Sequence, residues 1–203
     1  DSISARRSSL LYGKAQIYAQ GFEETAFLDN TMDLIIGNIP FGDYKVHDTK
    51  YNKHNLNIHD YFFAKSLDKL KPGGIIAFIT SKGTLDKKNP KARELFASKA
   101  DFLGAVRLPN IAFKNIANTD ATSDIIFLQK REELDVMPRN QSWTKLAYDP
   151  NGLQYNEYFV KNPQMMLGEM QIDERRKGMY GEDSKVTTLM PQDGSLIEQL
   201  DDA

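Results

Sequence analysis

Short apolar runs alternate along much of the chain with segments whose apolar residues recur every three or four positions. The runs predict strands, and the helically spaced segments predict helices. The predicted strands cover residues 15–19, 32–36, 75–80, 102–108 and 124–130, and the predicted helices cover residues 3–12, 58–70, 90–99 and 195–203. Residues 75–80 are apolar almost without a break, which is typical of a strand covered on both faces of a sheet. The pattern therefore predicts a doubly wound α/β sheet, and its last two strands, with no helix between them, are expected to pair antiparallel.

The first of the longer apolar runs ends at a glycine and is followed by Asn38, Ile39, Pro40 and Phe41. Ligands of open α/β sheets bind just beyond the carboxyl ends of the strands. An amide beside an aromatic ring at such a point can hydrogen-bond a planar group and stack on it, as enzymes do with a flipped nucleobase. The alternative is a plain turn in which the aromatic ring plugs the core.

Composition narrows the class of protein. The 203 residues hold no cysteine, which excludes disulfides and thiolate metal sites and makes a cytoplasmic setting the simplest interpretation. No stretch approaches the roughly 18 consecutive apolar residues of a membrane span, and no signal peptide opens the chain, so no membrane association is expected. Because Asp1 stands where an initiator methionine is expected, we expect the chain to be a fragment or a processed piece.

Charge and composition divide the chain near residue 130. Residues 1–130 hold 18 Lys and Arg against 14 Asp and Glu, whereas residues 131–203 hold 8 against 14. The second part is also rich in proline and glycine, which leaves little room for long elements. We therefore expect a domain over residues 1–130 and an irregular acidic extension over residues 131–203. The weak positive charge of the first part does not by itself establish nucleic-acid binding.

The sequence Asn38-Ile39-Pro40-Phe41 at the end of an apolar strand resembles the Asn-Pro-Pro-Tyr/Phe motif of adenine-N6 DNA methyltransferases. The resemblance extends over residues 1–130, in the order and spacing of that family. Its further segments are His59-Asp60-Tyr61-Phe62, Lys71-Pro72-Gly73-Gly74 with the strand to Ser81, and Arg107-Leu108-Pro109 to Asp124-Ile125-Ile126. Within that family, the chain resembles the methylase region of the large helicase–methylase proteins of bacterial mobile elements.

The resemblance implies a Rossmann-like, S-adenosylmethionine-dependent methyltransferase fold and a target adenine flipped out of DNA. The Asn38 side-chain oxygen and the Ile39 carbonyl would accept the two hydrogens of the adenine amino group. Pro40 would fix the turn, and Phe41 would stack on the base. The family usually has proline where this chain has Ile39, a tolerable departure because only the carbonyl of that residue is asked to act.

The same resemblance assigns cofactor and substrate residues. Phe22 and Glu23 stand where the family contacts the adenine ring of S-adenosylmethionine, although a loop phenylalanine capping the core is an equal alternative for the first. Asp1 stands about where the family has its ribose-binding acidic residue. No preceding strand with a glycine-rich loop is seen, so we expect an N-terminally truncated domain that binds the cofactor weakly and is inactive alone. Ser81 and Lys82 are candidates for the border of the target pocket.

Other candidate residues have plainer interpretations. His47, His54 and His59 are spaced by seven and five residues without a cysteine, which does not match a compact metal site, so no metal is expected. Asp124, at the start of the last strand, is expected to cap or order a loop. A basic cluster either touches phosphate or is a solvated surface; its members are Lys82, Lys87, Lys88, Lys91 and Arg93.

The expected partners are DNA and a helicase domain in the same parent chain. Because the family fold places another strand beside residues 32–36, we also expect an exposed strand edge, which either forms a homodimer or is covered by residues 1–31. Two alternatives to DNA methylation stay open: a non-catalytic DNA-binding or scaffolding module, and a methyltransferase acting on RNA or on protein glutamine.

Overall fold

The computed structural model describes residues 2–40, 42–114, 120–132, 141–173, 186–201 and 203. Its helices are α1 Ser2–Leu11, α2 Ile58–Lys69, α3 Gly83–Asp86, α4 Lys91–Ala97, α5 Glu157–Lys161 and α6 Leu196–Asp201. Its strands are β1 Met32–Asn38, β2 Leu70–Ser81, β3 Ala100–Leu108, β4 Ser123–Lys130, β5 Leu146–Tyr148, β6 Gln154–Asn156, β7 Glu169–Ile172 and β8 Thr187–Met190. Single 3-10 turns lie at Phe22–Glu24, Asn52–His54, Ser142–Thr144 and Pro163–Met165.

The four long strands form one mixed sheet in the order β1-β2-β4-β3. β1 and β2 are parallel, and β4 runs antiparallel to both of its neighbours, so β3 runs in the same direction as β1 and β2. The predicted α/β class and the antiparallel pairing of the last two strands are confirmed. The carboxyl ends of β1, β2 and β3 consequently meet at one edge of the sheet.

The hydrophobic core lies on one face of this sheet. The ring of Phe63 in α2 packs 5.1 Å from that of Phe78 in β2 and 5.3 Å from that of Phe96 in α4. Further along the same face, Trp143 stacks on Phe102 of β3 at 5.0 Å. Residues beyond 140 therefore contribute to the core that α2 and α4 close. The division of the chain near residue 130 stays a prediction.

The opposite face of the sheet is only partly covered. Leu34 and Ile36 of β1 are 56% and 68% exposed, and their ladder partners Ile75 and Ala77 are half-buried. The expectation that β2 is covered on both faces is therefore wrong for the described residues. The reason is that α2 and α4 both pack on the Phe78 side, which leaves the alternate residues of each strand without a packed layer.

The predicted strand at residues 15–19 is also wrong. These residues form no ladder, and all of them are exposed. An alternating pattern becomes a strand only when another strand accepts its backbone hydrogen bonds, and none does here. α1 likewise buries none of its side chains, and β1 is the terminal strand of the sheet, so no strand from the described residues 2–31 pairs with its edge.

A network of lysines and aspartates fastens the loop after β1 to the end of α2. The Asp68 carboxylate accepts from the Tyr51 hydroxyl at 2.7 Å and lies 3.0 Å from the Lys50 ammonium. Lys99 binds its other oxygen. Burial alone raises the pKa of this carboxyl, but the hydrogen bonds from Lys99, Tyr51 and Lys50 outweigh it and hold the pKa at about 2. The carboxylate is therefore charged at neutral pH and ties three separate segments together.

Candidate functional site

Asn38 lies at the carboxyl end of β1, on the edge of the sheet where ligands of α/β proteins bind. Its ladder partner is Ile79 of β2. The next residue continues the ladder, since the Ile39 N–H donates to the Ile79 carbonyl at 3.1 Å. The Ile39 side chain is buried and Pro40 is exposed. The backbone on either side of Asn38 is therefore held by the sheet and the core.

The side-chain amide of Asn38 is the group that this anchored backbone presents. It is exposed, and the part of the chain that the structure describes offers it no hydrogen-bond partner. An anchored backbone with a free amide is what binding of an external planar group requires. The motif phenylalanine Phe41 and the candidate cofactor residue Asp1 lie outside the described residues.

The carboxyl end of β2 lies beside this motif. Ser81 is the last residue of β2, two positions beyond the ladder partner of Asn38, and its hydroxyl accepts from the Gly83 N–H at 3.2 Å. The Lys82 ammonium binds β8 and not this motif, since it donates to the Thr187 hydroxyl at 3.0 Å. The structure thus brings Ser81 to the same edge as Asn38 and directs the Lys82 side chain towards the C-terminal segment.

Phe22 and Glu23 lie in a 3-10 turn fastened to α2. The buried ammonium of Lys65 donates to the carbonyls of Phe22 at 2.7 Å and Glu23 at 3.1 Å. The Phe22 ring packs 4.8 Å from the ring of Phe62 and stays partly exposed. A positioned, partly exposed aromatic ring fits an adenine ring as a ligand, so these two residues remain compatible with holding the cofactor.

Lys65 is the residue in this region that sequence reasoning missed. Besides the two carbonyls it binds Asp48 at 3.1 Å, and Asp48 also accepts from the Tyr61 hydroxyl at 2.8 Å. Burial raises the pKa of Asp48, but the bonds from Tyr61 and Lys65 outweigh it and lower the pKa below its usual value. The only sequence signal is a lysine on the helical face that carries Tyr61 and Phe62.

The start of α2 carries a second buried polar pair. Asp60 binds Lys87, and both it and the neighbouring His59 are buried. Burial lowers the pKa of His59, so its imidazole is neutral at pH 7. Among the described residues, no three His, Asp or Glu side chains are grouped as a metal ion would require.

A buried ion cluster closes the far end of the same sheet edge. Arg107 of β3 donates to both oxygens of Asp124 at 2.7 and 2.9 Å and to both oxygens of Asp86 at 2.9 Å. Its guanidinium also lies 4.3 Å above the Phe159 ring. Asp86 accepts in addition from the Asn156 N–H at 3.0 Å, which attaches the C-terminal segment.

This cluster corrects the expected role of Asp124. The residue does not cap a loop: it is fully buried and paired with Arg107 across the β3–β4 ladder. Burial lowers the pKa of the Arg107 guanidinium, but Asp124 and Asp86 outweigh it and raise that pKa. Burial raises the pKa of Asp124 against the opposing charge of Arg107. The available sequence signal was a charged residue at the carboxyl end of one largely apolar strand, Arg107, and another at the start of the next strand, Asp124.

No helix in the described ranges combines the length and apolar character that crossing a membrane requires.

Comparison with known proteins identifies one matching family model, described as the Eco57I restriction-modification methylase, over residues 6–110. The chain is 32% identical over 134 residues to a protein of Escherichia phage P1 called Defense against restriction protein B. That match covers 64% of this chain, and the chain spans only 6% of the length of the phage protein.

Solved structures give partial superpositions. One, of a type I restriction–modification system, aligns with a TM-score of 0.49 and 18% identity over 57% of this chain and 25% of that one. A protein from Listeria monocytogenes, described as a putative class I S-adenosylmethionine-dependent methyltransferase, gives a TM-score of 0.43 and 19% identity over 58% of this chain and 37% of that one.

Proposed function

Because this chain belongs to the Eco57I restriction-modification methylase family, we propose that it holds the target base in an S-adenosylmethionine-dependent adenine-N6 DNA methyltransferase. The observation that carries the proposal is the exposed amide of Asn38 at the carboxyl end of β1, which has no hydrogen-bond partner among the described residues. The next residue of the motif supports this role, since Ile39 is anchored by the sheet and by its buried side chain.

The chemistry asked of these residues is to activate an amino group. The lone pair of the adenine amino nitrogen is delocalised into the ring, and two acceptors on its two hydrogens favour the geometry in which that lone pair can attack. The Asn38 oxygen and the Ile39 carbonyl are the proposed acceptors, and Phe41 is the proposed stacking partner of the base. S-adenosylmethionine, when bound, supplies the electrophilic methyl group.

The remaining residues position and shield the reactants. Phe22 and Glu23 are proposed to hold the adenine ring of the cofactor, in a turn that Lys65 fixes to α2. Ser81 is proposed to border the target base. Lys82 is a weaker candidate than Ser81, because its ammonium already binds Thr187.

The direct test is Asn38→Ala in the complete parent protein, assayed by transfer of labelled methyl groups to duplex DNA. We expect the rate to fall about 100-fold or more, because one preorganised acceptor is lost from the reacting group. Asn151→Ala is the matched control, since Asn151 is also exposed and lies outside the motif. RNA and protein substrates assayed in parallel determine the acceptor, and transfer to either of them in preference to DNA would replace the adenine-N6 DNA assignment.

A non-catalytic role is the second candidate. The observation that favours it is the burial of the Ile39 side chain where the family usually has proline, because this residue serves the core as well as the motif. On this alternative, Asn38→Ala leaves both methylation and DNA binding of the parent unchanged. Loss of methyl transfer with cofactor binding retained would eliminate it.

The proposed partners are DNA and a helicase domain within the same parent chain. For the chain by itself we propose weak cofactor binding and no activity. Calorimetric titration of this chain with S-adenosylmethionine tests that proposal, and a dissociation constant in the low micromolar range or below would contradict it.

A further inference from the structure

Arg93 in α4 is a buried cation whose hydrogen bonds are incomplete. The side chain is fully buried, its Nε donates to the Thr144 carbonyl at 3.0 Å, and its Nη1 lies 3.5 Å from the Thr84 carbonyl. Its Nη2 has no partner among the described residues. A buried charged group without its hydrogen bonds is costly, so such an atom calls for an explanation.

No carboxylate of the described residues neutralises this guanidinium. The nearby acidic groups are Asp86, Asp60 and Glu94, and burial outweighs their combined influence and lowers the pKa of Arg93. Asp86 is bound by Arg107 and Asp60 by Lys87, whereas Glu94 is exposed. Arg107 provides the contrast: it is equally buried, and two carboxylates surround it.

Arg93 lines a cavity of about 610 Å³ between α4 and the 3-10 turn at Ser142–Thr144. Two further cations, Lys88 and Lys145, line the same cavity, and both are exposed. The amide of Gln141 adds a hydrogen-bond donor to its wall, whereas the Ser98 hydroxyl already donates to the Leu95 carbonyl at 2.7 Å. Glu94 is the one acidic residue among the described residues that line the cavity. The volume falls within the range of small-ligand sites.

We propose that this cavity binds a phosphate group, with Arg93 at its base and Lys88 and Lys145 at its rim. A guanidinium presents paired N–H donors that match the oxygens of a phosphate, and flexible lysines add charge without fixing the geometry. Such a ligand would supply the counter-charge that Arg93 lacks. Because Nη2 is itself buried, the guanidinium must turn towards the cavity to donate to the phosphate. The phosphate belongs either to a DNA backbone or to a free phosphorylated small molecule.

The site is separate from the proposed methyl-transfer site. Its residues come from α4 and from the segment beyond residue 140, and none of them belongs to the Asn38 motif or to the carboxyl end of β2. The basic cluster predicted from the sequence accordingly divides into two groups, according to what its side chains contact. Lys87 and Lys82 are bound by Asp60 and Thr187, respectively, whereas Lys88 and Arg93 face the cavity.

The test is a titration of the whole chain with inorganic phosphate at constant ionic strength. Calorimetry and amide NMR monitor the binding. We expect saturable binding that Arg93→Gln weakens about tenfold or more, since charged hydrogen bonds are lost. Arg6→Gln is the matched control, because it removes the same charge from an exposed position in α1. It should bind phosphate with the affinity of the wild-type chain. Absence of saturable binding, or binding that Arg93→Gln leaves unchanged, would overturn the proposal.

Arg93 is buried, so its replacement can impair folding. The double variant Lys88→Gln/Lys145→Gln avoids this problem because both lysines are exposed. It is expected to keep the far-ultraviolet circular dichroism spectrum of the wild-type chain and to bind phosphate several-fold more weakly than the wild-type chain does. Full phosphate affinity in this folded variant would also count against the site.

A competition experiment identifies the source of the phosphate. The competitor is a 12-base-pair DNA duplex, added to the phosphate-bound wild-type chain and to the phosphate-bound Arg6→Gln control. Both proteins carry the proposed site intact, so displacement of phosphate from the wild type alone would contradict the site. Displacement from both proteins assigns the site to a DNA backbone, and displacement from neither assigns it to a free phosphorylated molecule. These readouts do not involve methyl transfer, so they stand or fall independently of the proposed function.

Discussion

The two ends of one sheet edge treat polar side chains in opposite ways. At β1, Asn38 is exposed and has no partner in the described part of the chain. At β3, Arg107 is fully buried, and its guanidinium donates four hydrogen bonds to two carboxylates. Both residues lie near the carboxyl ends of strands that run in the same direction.

The difference shows that position in the fold does not by itself identify a ligand-binding residue. A buried polar group must find its partners within the protein, and the Arg107 cluster does so. An exposed amide on an anchored backbone has no such constraint and can bind a ligand. Partnering and burial together distinguish the proposed binding part of this edge, at Asn38, from the part whose polar groups are satisfied within the protein, at Arg107.

The largest expected effect is that of Arg107→Met. Removing the cation leaves the buried Asp124 and the partly buried Asp86 beside each other without the counter-charge of Arg107, and we expect the free energy of unfolding to fall by about 3–5 kcal/mol. Urea denaturation measures it. Arg6→Met serves as a control, since Arg6 is exposed on α1. A loss no larger than that of the control would show that the cluster does not stabilise this end of the sheet.

A smaller effect is expected for Asp86→Ala. The variant keeps the Arg107–Asp124 pair but removes two hydrogen bonds to Arg107 and the acceptor of the Asn156 N–H. We expect a loss of about 2–3 kcal/mol by the same measurement. Asp33→Ala is the control, because Asp33 forms only an exposed pair with Lys71. Equal losses in the two variants would contradict the distinction drawn between buried and exposed pairs.

Acid should weaken the ion-paired carboxylates, such as Asp68, and should leave Asn38 unaffected because an amide does not titrate. The folded-state pKa of Asp68 is about 2, against an ordinary value of 3.8. Since the folded pKa is depressed, the stabilisation is fully present above pH 4 and is lost as pH falls towards 2. Its size is about 2 kcal/mol.

Urea midpoints measured between pH 5 and pH 2 test this prediction. Asp68→Asn is expected to flatten that part of the profile, because the variant has no carboxyl group to protonate. If the urea midpoint falls with pH as steeply in the variant as in the wild-type chain, other carboxylates govern the loss of stability in acid.

The smallest effect on stability is expected for Asn38→Ala. An exposed amide without partners contributes little to folding, so we expect the free energy of unfolding to change by about 0.5 kcal/mol or less. Combined with a large loss of methyl transfer in the parent, this result would complete the contrast with Arg107. A loss of several kcal/mol would instead mean that Asn38 is a structural residue.

The sequence predicts what depends on local pattern and misses what depends on distant partners. The helix at Ile58–Lys69 and the strand leading to Asn38 follow from apolar spacing that the fold retains. The Arg107 cluster joins residues from three separate elements, and no local pattern indicates that Asp86 completes it. Residues 15–19 illustrate the reverse case: the local pattern was suitable, but no strand lies beside it to form a ladder.

The exposed edge of β1 determines what geometry a symmetric pair of chains would have. Homodimerisation through this edge stays a prediction, and sedimentation velocity tests it. In a twofold pairing of β1 with its own copy, the axis would pass through Ile35 and Asn38 would lie opposite the partner's Met32. At about 3.4 Å per residue, the two Asn38 positions would then be roughly 20 Å apart at opposite ends of the shared ladder. An eight-stranded sheet of this kind would leave both proposed target-base sites open, facing away from each other.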